Sequence, residues 1–398
     1  MSLEFNFVVD RVTKGKIYPA LARHQGRPYT PSWREFGQHY PYTTPLRLQE
    51  YCDAHGALIN MFYINDRLPA NTFYPVCLGF FDFDIDYFEL MDSDVCRGLR
   101  QGDLRVLFYY HEGDNPRRIK NRLDTLAKNH LMPTNCYVFV SSNTQADQLD
   151  NFVTFCDFEL WYYQRNSNKA AEEAHTNPRE REFVCLSRLH KWWRATALAD
   201  LQRGNTLDNS YWSYCEAPED KEYTQDNPIE LDMISRLRWD LEKFVASAPY
   251  VSDELDQDQR NDHSHHVPKY HANAYCHIVL ESQFDVDQSG GAFITEKTFK
   301  PIKHGQLFFV AGGAGSLQAL RDLGYCTFDS VLDNSYDLET NHTQRWIKLH
   351  EAIKKVQAQG LHSLYLHCLD DIKYNQQLFL ATKLDRLNTL HRKINEQS

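Results

Sequence analysis

One stretch of the chain combines residue types that bind phosphate and hydroxyl groups. A short apolar run, Tyr275–Leu280, is followed directly by an acidic residue, a polar loop and then the sequence Ile-Thr-Glu-Lys at 294–297. A helix that begins there presents free N–H groups, and with Lys297 beside them it suits an anion such as a diphosphate. The carboxylates of Glu281 and Glu296 can accept hydrogen bonds from sugar or ribose hydroxyls. The spacing therefore predicts a phosphate- and hydroxyl-binding site, with a solvated Glu–Lys pair at a helix start as the alternative.

A second cluster of basic and aromatic residues follows the apolar run Phe183–Leu186. Its sequence His-Lys-Trp-Trp-Arg at 190–194 opens the next helical pattern. Because a planar guanidinium group can donate two hydrogen bonds to phosphate oxygens, Arg194 is the first candidate for a phosphate ligand and Arg188 the second. The alternative is a solvated basic helix start with one of its tryptophans in the core.

Polar residues also follow two apolar runs in the N-terminal half. Leu104–Tyr110 leads into His-Glu-Gly-Asp at 111–114, and the next run ends just before Ser142 and Asn143. A carboxylate at the end of a strand can act as a general base, and Glu112 is the first candidate, ahead of the neighbouring acid and histidine. Ser142 and Asn143 are candidates for binding acceptor hydroxyls. The alternative for all of them is a polar loop that caps the sheet.

The stretch around residues 275–328 resembles the donor-binding motif of alpha-1,3-fucosyltransferases, in which a strand ending in Glu is followed by a loop, Ile-Thr-Glu-Lys and a glycine. That motif binds a nucleotide-sugar in the C-terminal domain of a GT-B fold. The resemblance implies that Glu281, Thr295, Glu296 and Lys297 line a donor pocket. Ser282 stands where the family has Asn, and further departures leave the transferred sugar open.

Two other stretches are considered as metal ligands. His-Ser-His-His at 263–266, with His271, lies in a loop without a regular spacing or a cysteine partner. Asp-Phe-Asp-Ile-Asp at 82–86 is superficially similar to the Asp-x-Asp of metal-dependent glycosyltransferases, but it is far in sequence from the donor motif. The sequence therefore predicts no metal site and no cofactor other than a nucleotide-sugar co-substrate.

Alternating apolar and helical patterns predict the elements that position these residues. In the first half a helix over Pro116–His130 joins two buried strands, and Phe155–Tyr163 is predicted as a further strand. A second series follows a linker at 166–181 and ends in a long helix over 371–395. The expected α/β fold is GT-B-like, with two Rossmann-like domains facing an interdomain cleft. The predicted domains span 1–170 and 171–370, with a C-terminal helix at 371–398 near the hinge.

Further elements are predicted in the second series. Helices are expected over 229–247 and 292–304, with a last strand around Tyr325–Phe328. The sequence Gly-Gly-Ala-Gly-Ser at 312–316 lacks the Gly-x-Gly-x-x-Gly spacing of dinucleotide sites, which disfavours an oxidoreductase. It is predicted instead as a tight strand-to-helix turn.

Composition excludes several classes of protein. The 398 residues carry a formal net charge of −11, which disfavours wrapping of duplex nucleic acid. No apolar run is long enough to span a bilayer, and the first residues lack the apolar core of a signal peptide. The ten cysteines form no Cys-x-x-Cys pair, so a cytoplasmic protein is expected. The oligomeric state stays open.

These observations predict a glycosyltransferase of the hexosyl- or fucosyltransferase type. It moves a sugar from a nucleotide-diphosphate donor to a glycan or other hydroxyl acceptor, with inversion and without an essential metal. Two alternatives stay open. One is a noncatalytic module that binds a nucleotide-sugar, and the other is a glycosyltransferase acting on modified nucleic acid, which the acidic charge disfavours.

Overall fold

The computed structural model describes residues 3–9, 46–64, 66–78, 81–169, 174–214, 229, 240–251, 268–285 and 290–397. The chain divides into two compact units. Unit 1 comprises Met1–Gln164 and Thr382–Ser398, and unit 2 comprises Arg165–Ala381. Each unit contains a parallel sheet with helices between its strands, so the predicted α/β class is confirmed. Within the described ranges, no helix is both long enough and apolar enough to cross a membrane.

The regular elements are as follows. The strands are β1 (Glu4–Val9), β2 (Leu58–Tyr63), β3 (Thr72–Leu78), β4 (Arg105–Tyr110), β5 (Tyr137–Ser141), β6 (Phe152–Thr154), β7 (Arg181–Ser187), β8 (Ser210–Tyr214), β9 (Ala274–Leu280) and β10 (Leu307–Ala311). The helices are α1 (Leu46–His55), α2 (Ser93–Gln101), α3 (Pro116–Asn129), α4 (Asp157–Asn166), α5 (Trp192–Arg203), α6 (Pro268–Ala272), α7 (Glu296–Lys303), α8 (Ser316–Asp322), α9 (His342–Gln359), α10 (Leu361–His367), α11 (Leu369–Leu380) and α12 (Leu384–Glu396). Of the helix expected over 229–247, residues 240–246 are helical, and 230–239 lie outside the described residues.

The strand order brings the candidate residues to sheet edges. The six strands of unit 1 follow the order β2-β1-β3-β4-β5-β6, and the four strands of unit 2 follow β10-β9-β7-β8. Because Tyr110 pairs with Ser141, the polar loops after β4 and β5 start side by side. In unit 2, Leu280 pairs with Ala311, so the loops after β9 and β10 are also neighbours.

The predicted helix between β4 and β5 is confirmed, and its local sequence explains it. Asn115 caps α3 by accepting the N–H groups of the first turn, and Pro116 stands at the start, where its missing N–H costs nothing. Ile119 and Leu123 are fully buried on the face turned to the sheet. The three elements form a βαβ unit in which both strands are buried.

The strand predicted over Phe155–Tyr163 is wrong, because most of this segment belongs to helix α4. Every side chain from Asp157 to Tyr162 is buried, including Glu159. A segment buried on all sides shows neither the period of a helix nor that of a strand, so its apolar run cannot distinguish the two.

Three other boundaries differ from the prediction. The helix expected from Ala292 begins only at Glu296, and the stretch 325–328 forms no strand because the backbone of Cys326 pairs with the side chain of Asn375. The tail expected as one helix over 371–395 is two helices, α11 and α12, which are separated at 381–383. Lys383 in this break is buried and pairs with Glu159 at 3.2 Å.

Candidate functional site

Glu281 lies at the carboxyl end of β9 with no exposed surface. Its Oε1 accepts hydrogen bonds from the Thr295 N–H at 3.0 Å and the Thr298 hydroxyl at 2.6 Å. Its Oε2 accepts the Thr295 hydroxyl at 2.6 Å and the Ser282 N–H at 3.0 Å. These four bonds match the acceptor capacity of a carboxylate. Glu281 therefore ties the end of β9 to the start of α7.

Thr295 is the N-cap residue of α7, and its hydroxyl accepts the Lys297 N–H at 3.5 Å. The Lys297 Nζ lies 3.1 Å from the hydroxyls of Thr295 and Ser282 and 3.0 Å from the Glu296 Oε1. Thr295 and Glu296 are buried, whereas the Lys297 side chain is 25% exposed. The ammonium group is therefore the accessible part of this helix start.

Arg194, the third residue of α5, is buried beside the same strand end. Its Nη2 donates to the Glu281 carbonyl at 2.6 Å, and its buried Nε has no acceptor among the described residues. Burial lowers the pKa of Arg194 to about 10, although the nearby carboxylates of Glu281 and Glu296 favour the charged form. A desolvated guanidinium with a donor to spare is stabilised by an anion that reaches it.

Two further cations surround this position. The Lys191 Nζ donates to the Ser282 carbonyl at 2.5 Å. Arg188 directly follows β7, and its positive charge adds to the lowering of the Arg194 pKa. Four residues form what we call the basic cluster: Arg188, Lys191, Arg194 and Lys297. The cluster lies at the carboxyl ends of parallel strands, where α/β folds place ligands. The cluster gathers four basic side chains in a chain whose formal net charge is −11, with the carboxylates of Glu281 and Glu296 beside Arg194.

The glycine-rich turn at 312–316 joins β10 to α8, as predicted. A Cβ on Gly313 would lie 3.1 Å from the Gly291 carbonyl oxygen, so the turn packs directly against the loop before α7. The carboxylate of Asp337 accepts the first N–H groups of α8 at 2.9 and 3.1 Å, and burial raises the pKa of this carboxyl group. Because these N–H groups are already bonded to Asp337, we assign the turn a structural role: it packs against the loop before α7.

In unit 1, Glu112 follows β4 with 39% of its side chain exposed. Its Oε1 lies 3.5 Å from the His111 Nε2, so the imidazole can share a proton with it. Asp114, two residues further on, accepts a short hydrogen bond from the Tyr110 hydroxyl. A partly exposed carboxylate such as that of Glu112 can reach an external hydroxyl, as a general base must.

Ser142 and Asn143, the predicted acceptor-binding residues, are buried and bonded within unit 1. The Ser142 hydroxyl donates to the Phe155 carbonyl at 3.1 Å. The Asn143 side chain donates to the Gly113 carbonyl at 2.9 Å and accepts the Gln145 N–H at 2.9 Å. In this structure both residues hold together the loops after β4, β5 and β6.

The structure brings Arg188, Arg194, Glu281, Thr295, Glu296 and Lys297 together at one edge of unit 2. Lys191 and Ser187 belong to the same edge but were not predicted as site residues. The Ser187 hydroxyl is buried at the end of β7 and has no partner among the described residues. The signal was present in the sequence, because both residues flank the predicted strand end.

Among the described residues, the candidate metal ligands do not come together as a metal site. In the described part of the chain, no three His, Cys, Asp or Glu side chains are arranged to hold a metal ion. Asp86 pairs with His130 at 2.9 Å, and Asp82 is buried. The histidines at 263–266 lie outside the described residues, and His271 is buried in α6.

No protein-family model and no curated protein matches this sequence. Among solved structures, a glycosyltransferase from Rickettsia africae is similar at 9% identity and a TM-score of 0.35, covering 100% of both chains. The T4 phage BGT in complex with UDP and Mn2+ is similar at 10% identity and a TM-score of 0.33, covering 99% of both. A DNA-modifying beta-glucosyltransferase, studied with and without uridine diphosphoglucose, has 10% identity and a TM-score of 0.31, covering 100% of this chain and 97% of its own. Similarity at TM-scores below 0.5 establishes neither fold nor function for this chain.

Proposed function

We propose that this protein is a GT-B glycosyltransferase that moves a sugar from a nucleotide-diphosphate donor to a hydroxyl acceptor. The observation that carries the proposal is the basic cluster at the carboxyl end of the unit 2 sheet. Its buried Arg194 has an unpartnered Nε among the described residues, and its Lys297 ammonium group is accessible. A diphosphate supplies the acceptors and the negative charge that this arrangement lacks.

The basic cluster suits the leaving group of such a transfer. As the bond between the sugar and the diphosphate breaks, negative charge grows on the phosphate oxygens. Cations that are already oriented by their neighbours stabilise that charge without having to reorganise. Arg194 is held by the Glu281 carbonyl and Lys297 by three oxygen atoms at 3.0–3.1 Å. We therefore propose that these two residues neutralise the diphosphate and that the reaction needs no essential metal.

Glu281, Thr295 and Glu296 have different roles in this proposal. The carboxylate of Glu281 is filled by hydrogen bonds from the chain itself, so it positions the loop and Thr295 rather than touching the sugar. Glu296 is bonded to Lys297 at 3.0 Å and is the carboxylate next to the accessible ammonium group. We assign recognition of the donor hydroxyls to Glu296.

For the acceptor we propose Glu112 as the general base of an inverting transfer. Its exposed carboxylate can take the proton of an acceptor hydroxyl as the sugar carbon develops oxocarbenium character. Ser142 and Asn143 remain predicted acceptor ligands, although their present hydrogen bonds would have to open. The proposal leaves the sugar, whether a hexose or fucose, and the acceptor to experiment.

A thermal-shift panel of GDP, UDP, ADP, CMP and dTDP tests the donor site. Selective binding raises the unfolding midpoint by mass action. We expect one diphosphate to raise the midpoint and Lys297→Ala to abolish the effect, whereas Lys355→Ala, which removes an exposed lysine of unit 2, should keep it. No shift with any nucleotide would contradict the proposal.

A noncatalytic nucleotide-sugar-binding module is the second candidate. The internal bonding of Ser142 and Asn143 favours it, because the side chains predicted to bind an acceptor are already engaged within unit 1. Release of the nucleoside diphosphate from its sugar, slowly to water or faster to an acceptor, separates the two. Binding without any release would support the module, and release that is lost in Glu112→Gln would support the enzyme.

A further inference from the structure

A second buried guanidinium in unit 2 holds the loop that follows β9. Arg345, in the first turn of α9, is 1% exposed. It donates to the carbonyls of Phe284, Glu339 and Thr340, the last two at 2.8 and 3.4 Å. Burial lowers the pKa of Arg345 to about 10. Burying a guanidinium charge costs free energy unless hydrogen-bond acceptors surround it. The three carbonyl oxygens supply those acceptors, so Arg345 holds them in place.

The same residue is linked to Arg194 through stacked rings. The Arg345 Cζ lies 4.4 Å from the centre of the Phe284 ring. Phe284 in turn stacks on Trp193, with ring centres 4.9 Å apart and planes within 15°. Trp193 precedes Arg194 in α5, and the Arg194 Cζ lies 5.5 Å from the Trp193 ring. Both rings are buried in close-packed surroundings. A displacement of Arg345 should therefore shift Phe284 and Trp193, and with them Arg194.

A hydrogen bond to His342 fixes the next residue of the loop. The Asp285 Oδ1 lies 3.1 Å from the His342 Nε2. The His342 Nδ1 lies 3.0 Å from the Arg345 Nη2, which can only donate. His342 therefore accepts at Nδ1 and donates from Nε2 to Asp285. Arg345 thus sets both the loop backbone and the tautomer that pairs with Asp285.

We infer that Arg345 is a positioning residue for the basic cluster, and this inference rests on the proposed function. Through Phe284 and the Trp193 ring it fixes Arg194, and through the loop backbone it fixes Ser282, whose oxygens hold Lys191 and Lys297. A lysine at position 345 keeps the charge but lacks the planar fork that reaches several carbonyls at once.

Arg179 offers a matched control in the same unit. It is also buried, donates to the carbonyls of His271, Ala274 and Gly305 at 2.8–3.1 Å, and lies 4.5 Å from the Tyr365 ring. Its contacts surround the amino end of β9, whereas the basic cluster lies at the carboxyl end. Arg179→Lys should therefore lower stability as Arg345→Lys does, but without moving the cluster.

Calorimetric titration with the diphosphate selected by the thermal-shift panel is the first readout. We expect Arg345→Lys to weaken binding about 10-fold, which corresponds to about 1.4 kcal/mol. We expect Arg179→Lys to stay within about 2-fold of the parent protein, since charge and fold are kept. Equal affinities in the two variants would overturn the inference.

A second readout needs no nucleotide, so it separates this inference from the proposed function. The accessibility of Trp193 is measured by acrylamide quenching of its fluorescence. In each background, the Trp193 signal is the difference between the protein and its Trp193→Phe variant. We expect Trp193 to become more accessible in Arg345→Lys and to stay shielded in Arg179→Lys. If the parent protein binds no diphosphate, the proposed function fails, while unchanged Trp193 shielding in Arg345→Lys would overturn the positioning role by itself.

Discussion

The carboxylate of Glu281 accepts four hydrogen bonds, and each donor belongs to the loop after β9 or to the start of α7. The type of residue and its position at a strand end were readable from the sequence. Its partners were not, because they lie one residue away at Ser282 and 14 to 17 residues away at Thr295 and Thr298. The sequence thus predicted a hydroxyl ligand for the oxygens of Glu281, whereas in the structure these oxygens accept hydrogen bonds from the chain itself.

Glu281→Gln tests this structural role. The amide keeps the shape but replaces one acceptor oxygen with a donor that faces the Ser282 or Thr295 N–H groups. Because these donors are left unsatisfied, we expect a loss of about 2 kcal/mol in the free energy of unfolding, measured by urea denaturation. Glu351→Gln, at an exposed carboxylate on the same unit, is the control. Parent-like stability of Glu281→Gln would contradict the role.

At the scale of elements, three histidines join α6, β9 and the end of α7. The ring of His271 lies 5.3 Å from that of His277 and 4.9 Å from that of His304, and all three are buried. The charges of Lys300, Lys303 and Arg179 oppose protonation of His271. Burial lowers the pKa of His271 to about 4 and that of His277 well below its usual value.

This cluster predicts acid sensitivity in unit 2. Between about pH 6.5 and 4 the unfolded chain binds protons at His271 and His277 that the folded chain does not, so stability falls as the pH falls. The slope is about 1.4 kcal/mol per pH unit for each such proton. His271→Asn keeps a donor toward Gln306 but does not titrate, so urea denaturation across this range should show a shallower slope. An unchanged slope would contradict the prediction.

The C-terminal helix α12 is held to α4 by a buried carboxylate. Glu159 pairs with Lys383 at 3.2 Å and with Arg386 at 2.9 Å, and both Glu159 and Lys383 are buried. Burial lowers the pKa of Lys383, while the carboxylate of Glu159 favours its charged form. The sequence predicted helical tail residues correctly but not the break before α12, because the acid that stabilises the break lies more than 220 residues earlier.

Glu159→Gln should therefore destabilise unit 1. Removing the charge leaves two cations at a buried position, and the expected loss is about 3 kcal/mol in the free energy of unfolding. Hydrogen exchange of the α12 amides should accelerate in the same variant. Lys393→Met, which breaks the more exposed pair with Asp147, should change stability by less than about 1 kcal/mol. Similar effects of the two substitutions would contradict this assignment.

At the scale of the whole molecule, alternating patterns predicted the α/β class, strands β4 and β5 of unit 1, and strands β7, β9 and β10 of unit 2, whereas β1, β2, β3, β6 and β8 were not predicted. Buried strands such as β4 and β9 read clearly because their apolar runs are short and bounded by polar loops. Helix α4 was missed because its first six residues, 157–162, are all buried and so show no helical period. The basic cluster was found in part, since Arg194 and Lys297 lie in motifs, whereas Lys191 needed the fold to reach Ser282.

The central claim is that the basic cluster binds the diphosphate of a sugar donor. Calorimetric titration of the parent protein and of Arg194→Ala, with the nucleoside diphosphate that gives the largest thermal shift, tests it most directly. We predict saturable one-to-one binding by the parent and affinity about 100-fold weaker in Arg194→Ala, because about 3 kcal/mol of buried charge–charge interaction is lost. Equal affinity in the two proteins would contradict the claim, as would no binding by the parent.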